Sequence, residues 1–125
     1  MLQYRGTMKI PKIYKDSDAD ISLVQSSVVG IVGYGNQGRA RALNLMESGV
    51  KVYVGVRAES PSQKLAASDG LHCCSIAETL RCCDIITLLV PDQVMGEVYQ
   101  TDIAPNIKKG QTLLFAHGYS IHYKV

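Results

Sequence analysis

No stretch of this 125-residue chain stays apolar for the ~20 residues a helix needs to cross a bilayer. Its opening, MLQYRGTMKIPKIYKDSDAD, has no apolar stretch of the kind a secretory leader needs. Cytoplasmic residence and no membrane partner are therefore expected. An excess of one charge is also missing. Lys and Arg number 13 against 11 Asp and Glu, for a net +2, which offers no basic face to a nucleic acid. The 4 cysteines lack the spacing of a metal site. They come as the adjacent pairs Cys73-Cys74 and Cys82-Cys83, whereas a zinc site uses C-x2-C because neighbouring side chains seldom point at one ion. With a helix between them the pairs lie ~12–15 Å apart at ~1.5 Å per residue. A disulfide needs Cα atoms within ~7 Å. The cysteines therefore read as small buried hydrophobes in a reducing compartment.

What is present is one domain's worth of chain, 46% hydrophobic, with 11 glycines. Residues 1–27 have no sustained period and read as an N-terminal arm, with a turn or short helix near DSDADISLV. Met8 is an alternative start that would make the first seven residues dispensable. A strand is expected at Val28–Gly33. A helix follows at Gln37–Glu47, its face marked by Leu43 and Met46 beside Ala40 and Ala42, and Gly49 ends it. KVYVGVR (51–57) reads as a second strand, SPSQKLAASDG as loop and short helix with a stop at Gly70, and LHCCS as a short strand. IAETLRCC reads as a helix, and DIITLLV as a strand buried on both faces. PDQVMGEVYQTDIAPNI holds a helix or two, broken by Pro105, GQTLLFAHG is the fifth strand, and YSIHYKV trails off. Strands alternating with helices give an α/β class with a parallel sheet covered on both faces. Right-handed crossovers give strand order 3-2-1-4-5, a Rossmann-like doubly wound sheet.

Gly33, Gly35 and Gly38 spell G-x-G-x-x-G between the first strand and the first long helix, the context that gives the pattern meaning. Gly33 permits the tight turn, Gly35 leaves room for a diphosphate, and Gly38 lets helix and strand pack closely. The helix start supplies unpaired N–H groups and a partial positive charge. Arg39 in the first turn is unfavourable for an isolated helix and sensible beside a bound diphosphate. A strand–helix corner with no ligand is the alternative. An NAD site usually has an acidic residue at the end of the second strand. Here Arg57 stands there, followed by Ser60, Ser62 and Lys64: a guanidinium, two hydroxyls and an ammonium suited to a 2′-phosphate. Glu59 then points to solvent. NADP(H) is the expected cofactor, with an exposed polar turn as the alternative for residues 57–64.

The stretches KIYKDSDADISLV, GYGNQGRARALNL, VRAESPSQKLA, LLVPDQVMGEVY and IAPNIKKGQTLLFAHGYSIH together resemble the N-terminal part of ketol-acid reductoisomerase, from about residue 9 onward. That family converts 2-acetolactate, or 2-aceto-2-hydroxybutyrate, to a 2,3-dihydroxy acid in branched-chain amino-acid synthesis. A Mg²⁺-dependent alkyl shift precedes hydride transfer from NADPH. The resemblance implies that Tyr34, Gly35, Asn36 and Gln37 lie along the cofactor phosphates, and that Arg57, Ser60 and Ser62 meet the 2′-phosphate. Asp92, Gln93, Val94 and Met95 would face the cofactor just past the fourth strand. His117 corresponds to the active-site histidine; a core or surface role is its alternative. His122 is expected to be structural, and His72 carries no functional reading. Asn36, Arg39, Gln93 and Met95 depart from the residues usual at those positions.

The family continues with further strands and a helical domain whose carboxylates bind Mg²⁺ and substrate, whereas this sequence ends at Val125. The expectation is a partial NADP-binding domain over 28–125 without the metal-binding domain. Asp84, Asp92, Glu47, Glu78 and Glu97 offer no pair suited to replace its site, so no metal ligand is assigned. Three readings stay open: an enzyme completed by another chain, an NADP(H)-binding module without turnover, and a poorly folded remnant. An unpaired apolar edge at TLLFAHG would favour self-association.

Overall fold

The computed structural model describes residues 10–124, so the alternative start at Met8 lies outside the described residues. Among the described residues five strands form one parallel sheet in the order β3-β2-β1-β4-β5. They are β1 (Val28–Val32), β2 (Lys51–Gly55), β3 (His72–Cys74), β4 (Ile85–Leu88) and β5 (Thr112–Phe115). The helices are α1 (Ser22–Gln25), α2 (Asn36–Glu47), α3 (Pro61–Ser68), α4 (Ile76–Cys82), α5 (Asp92–Val98) and α6 (Tyr119–Tyr123). A 3-10 turn at Asp16–Asp18 precedes α1, and one π-helical turn, Tyr99–Ile103, prolongs α5. The expected strand order and class hold.

Period-2 alternation sorts the sheet's side chains onto two cores. Val29 and Ile31 of β1 and Val52 and Val54 of β2 join Ala42 of α2 and Ala66 of α3 on one face. Val32, Ile86 and Leu88 join Ile76 and Leu80 of α4, Met95 and Val98 on the other. Each fully buried Ile or Leu contributes roughly 1.5–3 kcal/mol. β1 is paired on both sides, Val29 opposite Val52 and Ile85. Two glycines let α4 sit close: a Cβ on Gly30 would lie 2.6 Å from Thr79 Cγ2, and one on Gly55 2.7 Å from Thr79 Oγ1. Helix α4 opens with a reciprocal cap between Ser75 and Glu78. The Asp84 carboxylate accepts from the Val28 N–H at 2.8 Å, locking the start of β1 to β4, so Asp84 is a structural acid.

Four expectations need correction. Residues 119–123 form α6 rather than trailing off: the His122 N–H donates to Gly118 O at 2.8 Å, and the Tyr119 and Tyr123 rings meet at 5.0 Å, tilted by 50° and one turn apart. Helix α2 buries Gly38 and Ala42, whereas Met46 is 37% exposed. Small residues bring this helix too near the sheet for a broad apolar stripe. Cys82 is exposed, since α4 buries Ile76, Thr79, Leu80 and the following Cys83, a 3–4 spacing that leaves position 82 outside. Finally, β5 spans 4 residues instead of seven, because pairing with β4 stops at Phe115.

Candidate functional site

A cavity of about 630 Å³ lies along the carboxyl ends of β1, β2, β4 and β5, the usual ligand position in such sheets. Its floor is the glycine turn. Gly33 has φ +96°, and a Cβ there would lie 3.0 Å from the backbone of Leu89 and Val90. A Cβ on Gly38 would lie 2.2 Å from Gly33 O, so this glycine sets how closely α2 approaches the turn and is itself off the cavity wall. A Cβ on Gly35 would meet nothing within 4 Å. It faces open space. Helix α2 has no side-chain cap and no acid in its first turn. Its leading amides are thus left for a ligand anion. Asn36 and Gln37 are exposed and line the same space.

The wall beyond β2 carries Arg57, Ser60 and Ser62. The Ser60 hydroxyl caps α3 by accepting from the Gln63 N–H at 3.2 Å, which leaves its proton free to donate outward. Glu59 is exposed, with φ 57°, and its N–H donates to Gln63 Oε1 at 2.7 Å. Lys64 is exposed and off the wall. Arg57 makes no ion pair among the described residues. Arg39 differs. Its guanidinium holds Asp69 with both prongs, at 2.8 and 2.9 Å, so it points away from the diphosphate position expected for it. Tyr34 lines the cavity, yet the residue is only 4% exposed, and its hydroxyl donates to Asp69 at 2.7 Å. Burial first, and then the Asp69 carboxylate, push the Tyr34 phenol up to about 12. The Arg39 and Tyr34 donors hold the Asp69 carboxyl below the usual range.

On the opposite side, Asp92, Val94 and Met95 reach the wall from α5, and Met95 also packs in the core. Gln93 is exposed and off the wall. His117, just past β5, lies across from Asp92, Nε2 to Oδ2 at 3.1 Å. Its Nδ1 accepts from the Tyr119 N–H at 3.2 Å, so the Nε2–H is the one offered to Asp92. Ser120 of α6, buried, completes this side. The thiols stay out of the site: burial drives Cys83 up to about 12 and raises Cys73 and Cys74, which keeps them protonated.

Residues 23–125 match the family described as "Acetohydroxy acid isomeroreductase, NADPH-binding domain". The chain belongs to the acetohydroxy acid isomeroreductase family. It is 50% identical over 111 residues to the ketol-acid reductoisomerases (NADP(+)) of Psychrobacter arcticus and Psychrobacter cryohalolentis. Those matches cover 89% of this chain and 33% of each relative, so the chain spans about a third of their length. An NADH-preferring ketol-acid reductoisomerase from an uncultured archean superposes with TM-score 0.86 at 33% identity, over 91% of this chain and 36% of that one. The matched region holds both the glycine turn and the Arg57 loop.

Two residues in or beside the cavity carry no sequence signal that marks them. Ser120 sits in a segment with no periodicity, and nothing marked it. Asp69 was read only as part of a turn before Gly70. The Asp92–His117 pair had a usable signal: in a parallel 1-4-5 order, the residues just after the fourth and fifth strands must be neighbours. Among the described residues no three His, Cys, Asp or Glu side chains converge as a metal site, and Asp92 is the carboxylate on the cavity wall. Mg²⁺ usually takes several oxygen ligands. This donor set does not fit that ion by itself. No helix among the described residues is long and apolar enough to cross a membrane.

Proposed function

We propose that the chain binds NADPH along the carboxyl edge of its sheet, as the nucleotide-binding part of a ketol-acid reductoisomerase. The observation that carries this is the juxtaposition, in one cavity, of an uncapped helix start over Gly35 with the unpaired guanidinium of Arg57. In this reading the amides at Gly35, Asn36 and Gln37 hold the diphosphate, while Gly33 and Gly38 shape the turn. Arg57, Ser60 and Ser62 hold the 2′-phosphate, and hydrogen bonds to such charged groups contribute about 1.5–3 kcal/mol each. The nicotinamide half lies toward Asp92, Val94 and Met95, with Gln93 as a rim contact. NADPH supplies a hydride when bound. His117, steadied at Nδ1 by the Tyr119 N–H, holds or passes a proton at Nε2, and Asp92 orients the ring. Residues 1–27 serve as an arm and 28–125 as the nucleotide domain, working in the cytoplasm.

Turnover of 2-acetolactate or 2-aceto-2-hydroxybutyrate would require Mg²⁺ ligands beyond those on this cavity wall. The single wall carboxylate, Asp92, favours a second reading: a binding module with no turnover of its own. The outer edge of β5, without a strand partner among the described residues, further supports pairing with a second copy of this chain. Titration with NADPH and NADH, by nucleotide fluorescence or calorimetry, followed by an assay with acetolactate and Mg²⁺, tests all of this. The expected result is tighter binding of NADPH than of NADH, with no turnover by the chain alone. A folded sample that ignores NADPH at millimolar concentration would overturn the reading. Equal affinities would remove the roles of Arg57, Ser60 and Ser62, and turnover by the pure chain would remove the module.

A further inference from the structure

Tyr34 belongs to the diphosphate turn, Arg39 to the first turn of α2, and Asp69 to the far end of α3, and one carboxylate ties the three together. Asp69 Oδ2 accepts from the Tyr34 hydroxyl at 2.7 Å and from Arg39 Nε at 2.8 Å, and Oδ1 accepts from the second prong at 2.9 Å. A bidentate Arg–carboxylate pair fixes direction as well as distance. The Tyr34 ring lies in the same buried cluster as Ala66, so the phenol is a strut with its body in the core and its tip on Asp69.

Helix α3 needs such a hold. It is 8 residues long and buries only Ala66, a single methyl against the sheet. Ala66 lies in the carboxyl half of the helix, and nearer the amino end the Cys73 thiol donates to Gln63 O at 3.6 Å, a weak tie, so a helix held this lightly can rock. Its amino end carries Ser60 and Ser62 beside Arg57; its carboxyl end is Asp69. Fixing Asp69 therefore fixes the opposite end.

We infer that Tyr34, Arg39 and Asp69 are positioning residues for cofactor choice: they set the distance between the diphosphate turn and the loop that meets the 2′-phosphate. This rests on the reading that Arg57, Ser60 and Ser62 face that phosphate. NADH shares the turn but makes no use of the loop, so loss of the clamp acts on NADPH alone.

The test titrates wild type, Asp69→Ala, Arg39→Lys and Tyr34→Phe with NADPH and NADH, and melts the same samples. In Asp69→Ala, NADPH affinity falls about tenfold and NADH affinity changes less than about twofold, as expected when charge-assisted contacts are displaced. Tyr34→Phe, the variant least able to disturb folding, moves the NADPH/NADH ratio the same way by about threefold. Arg39→Lys keeps the charge without the fork, and its ratio falls between wild type and Asp69→Ala. Retained NADH binding shows that the turn is intact, whatever the melting temperature. Parallel loss of both nucleotides, or an unchanged ratio in all three variants, overturns the positioning role. A wild type that binds both nucleotides equally overturns the 2′-phosphate reading beneath it, and this inference with it.

Discussion

The turn between β1 and α2 and the edge made by β5 and α6 border the same cavity, yet different forces hold them. Around the turn the chain is held mainly by packing, with the Tyr34–Asp69–Arg39 tie beside it. Ile31 and Val32 are fully buried, Gly38 rests against the Gly33 carbonyl, and Tyr34 fills the core behind the loop. At the edge no β5 residue is fully buried, and α6 buries only Ser120 while exposing Tyr119, Ile121 and Tyr123. Leu113 and Phe115 pack in part against the α4–α5 core, and polar ties hold much of the rest. The Gln111 amide donates to the carbonyls of Leu80 and Cys83, and the Lys108 ammonium to Arg81 O at 3.0 Å. A packed region punishes any added atom. A region held by hydrogen bonds to backbone tolerates side-chain change and leaves surface to offer.

The sharpest way to break this contrast is inside the turn itself. Gly38→Ala puts a methyl 2.2 Å from a backbone oxygen, where no flexible side chain can yield. The expected loss is about 3 kcal/mol or more, since overpacking against backbone cannot be relieved by a rotamer change. Denaturant unfolding measures it, and a wild-type midpoint would refute the packed description of the turn. Three residues earlier the opposite holds. Gly35→Ser adds a side chain where nothing lies within 4 Å, and its hydroxyl can cap α2. Stability should stay level or rise by a few tenths of a kcal/mol. NADPH affinity should nevertheless fall by at least about tenfold, or ~1.4 kcal/mol, because the new group takes the space and the amides of the diphosphate. Unchanged affinity would mean that the diphosphate does not lie over Gly35.

The same contrast explains what the sequence made legible. Packing writes patterns: alternating Val29, Ile31, Val52 and Val54, and glycines where backbones meet, are visible as spacing, and strand order follows from right-handed crossovers. Hence the turn, the sheet and the Arg57 loop could be placed from residues alone. Polar ties leave no such mark. Arg39 in a first helical turn suggests a nearby anion, but whether that anion is a ligand or Asp69 depends on where α3 ends. Helix α6 is held by backbone bonds to the Gly118 and Ser120 carbonyls and a tilted Tyr119–Tyr123 contact, and is too short for a period to show. Met46 looked like a core residue because a methionine near a leucine fits a helical stripe. The small residues Gly38 and Ala42 had already taken that face.

The smallest effect on folding, and the clearest on association, is expected at the edge. Leu114 is 44% exposed on β5, whose outer side has no strand partner among the described residues. Its neighbours Leu113 and Phe115 point to the opposite face, against the α4–α5 core. A lysine at 114 would keep its stem on the sheet and its charge in water, and charged residues on an edge discourage pairing with another chain. Leu114→Lys should therefore change stability by no more than about 0.5 kcal/mol, as surface substitutions usually do. If β5 pairs with a second copy, wild type should gain mass with concentration in sedimentation velocity, and Leu114→Lys should remain a monomer over the same range. A wild type that stays monomeric throughout would show that α6 and the polar ties already close the edge. The two borders of the cavity would then differ in how they are held and not in what they offer.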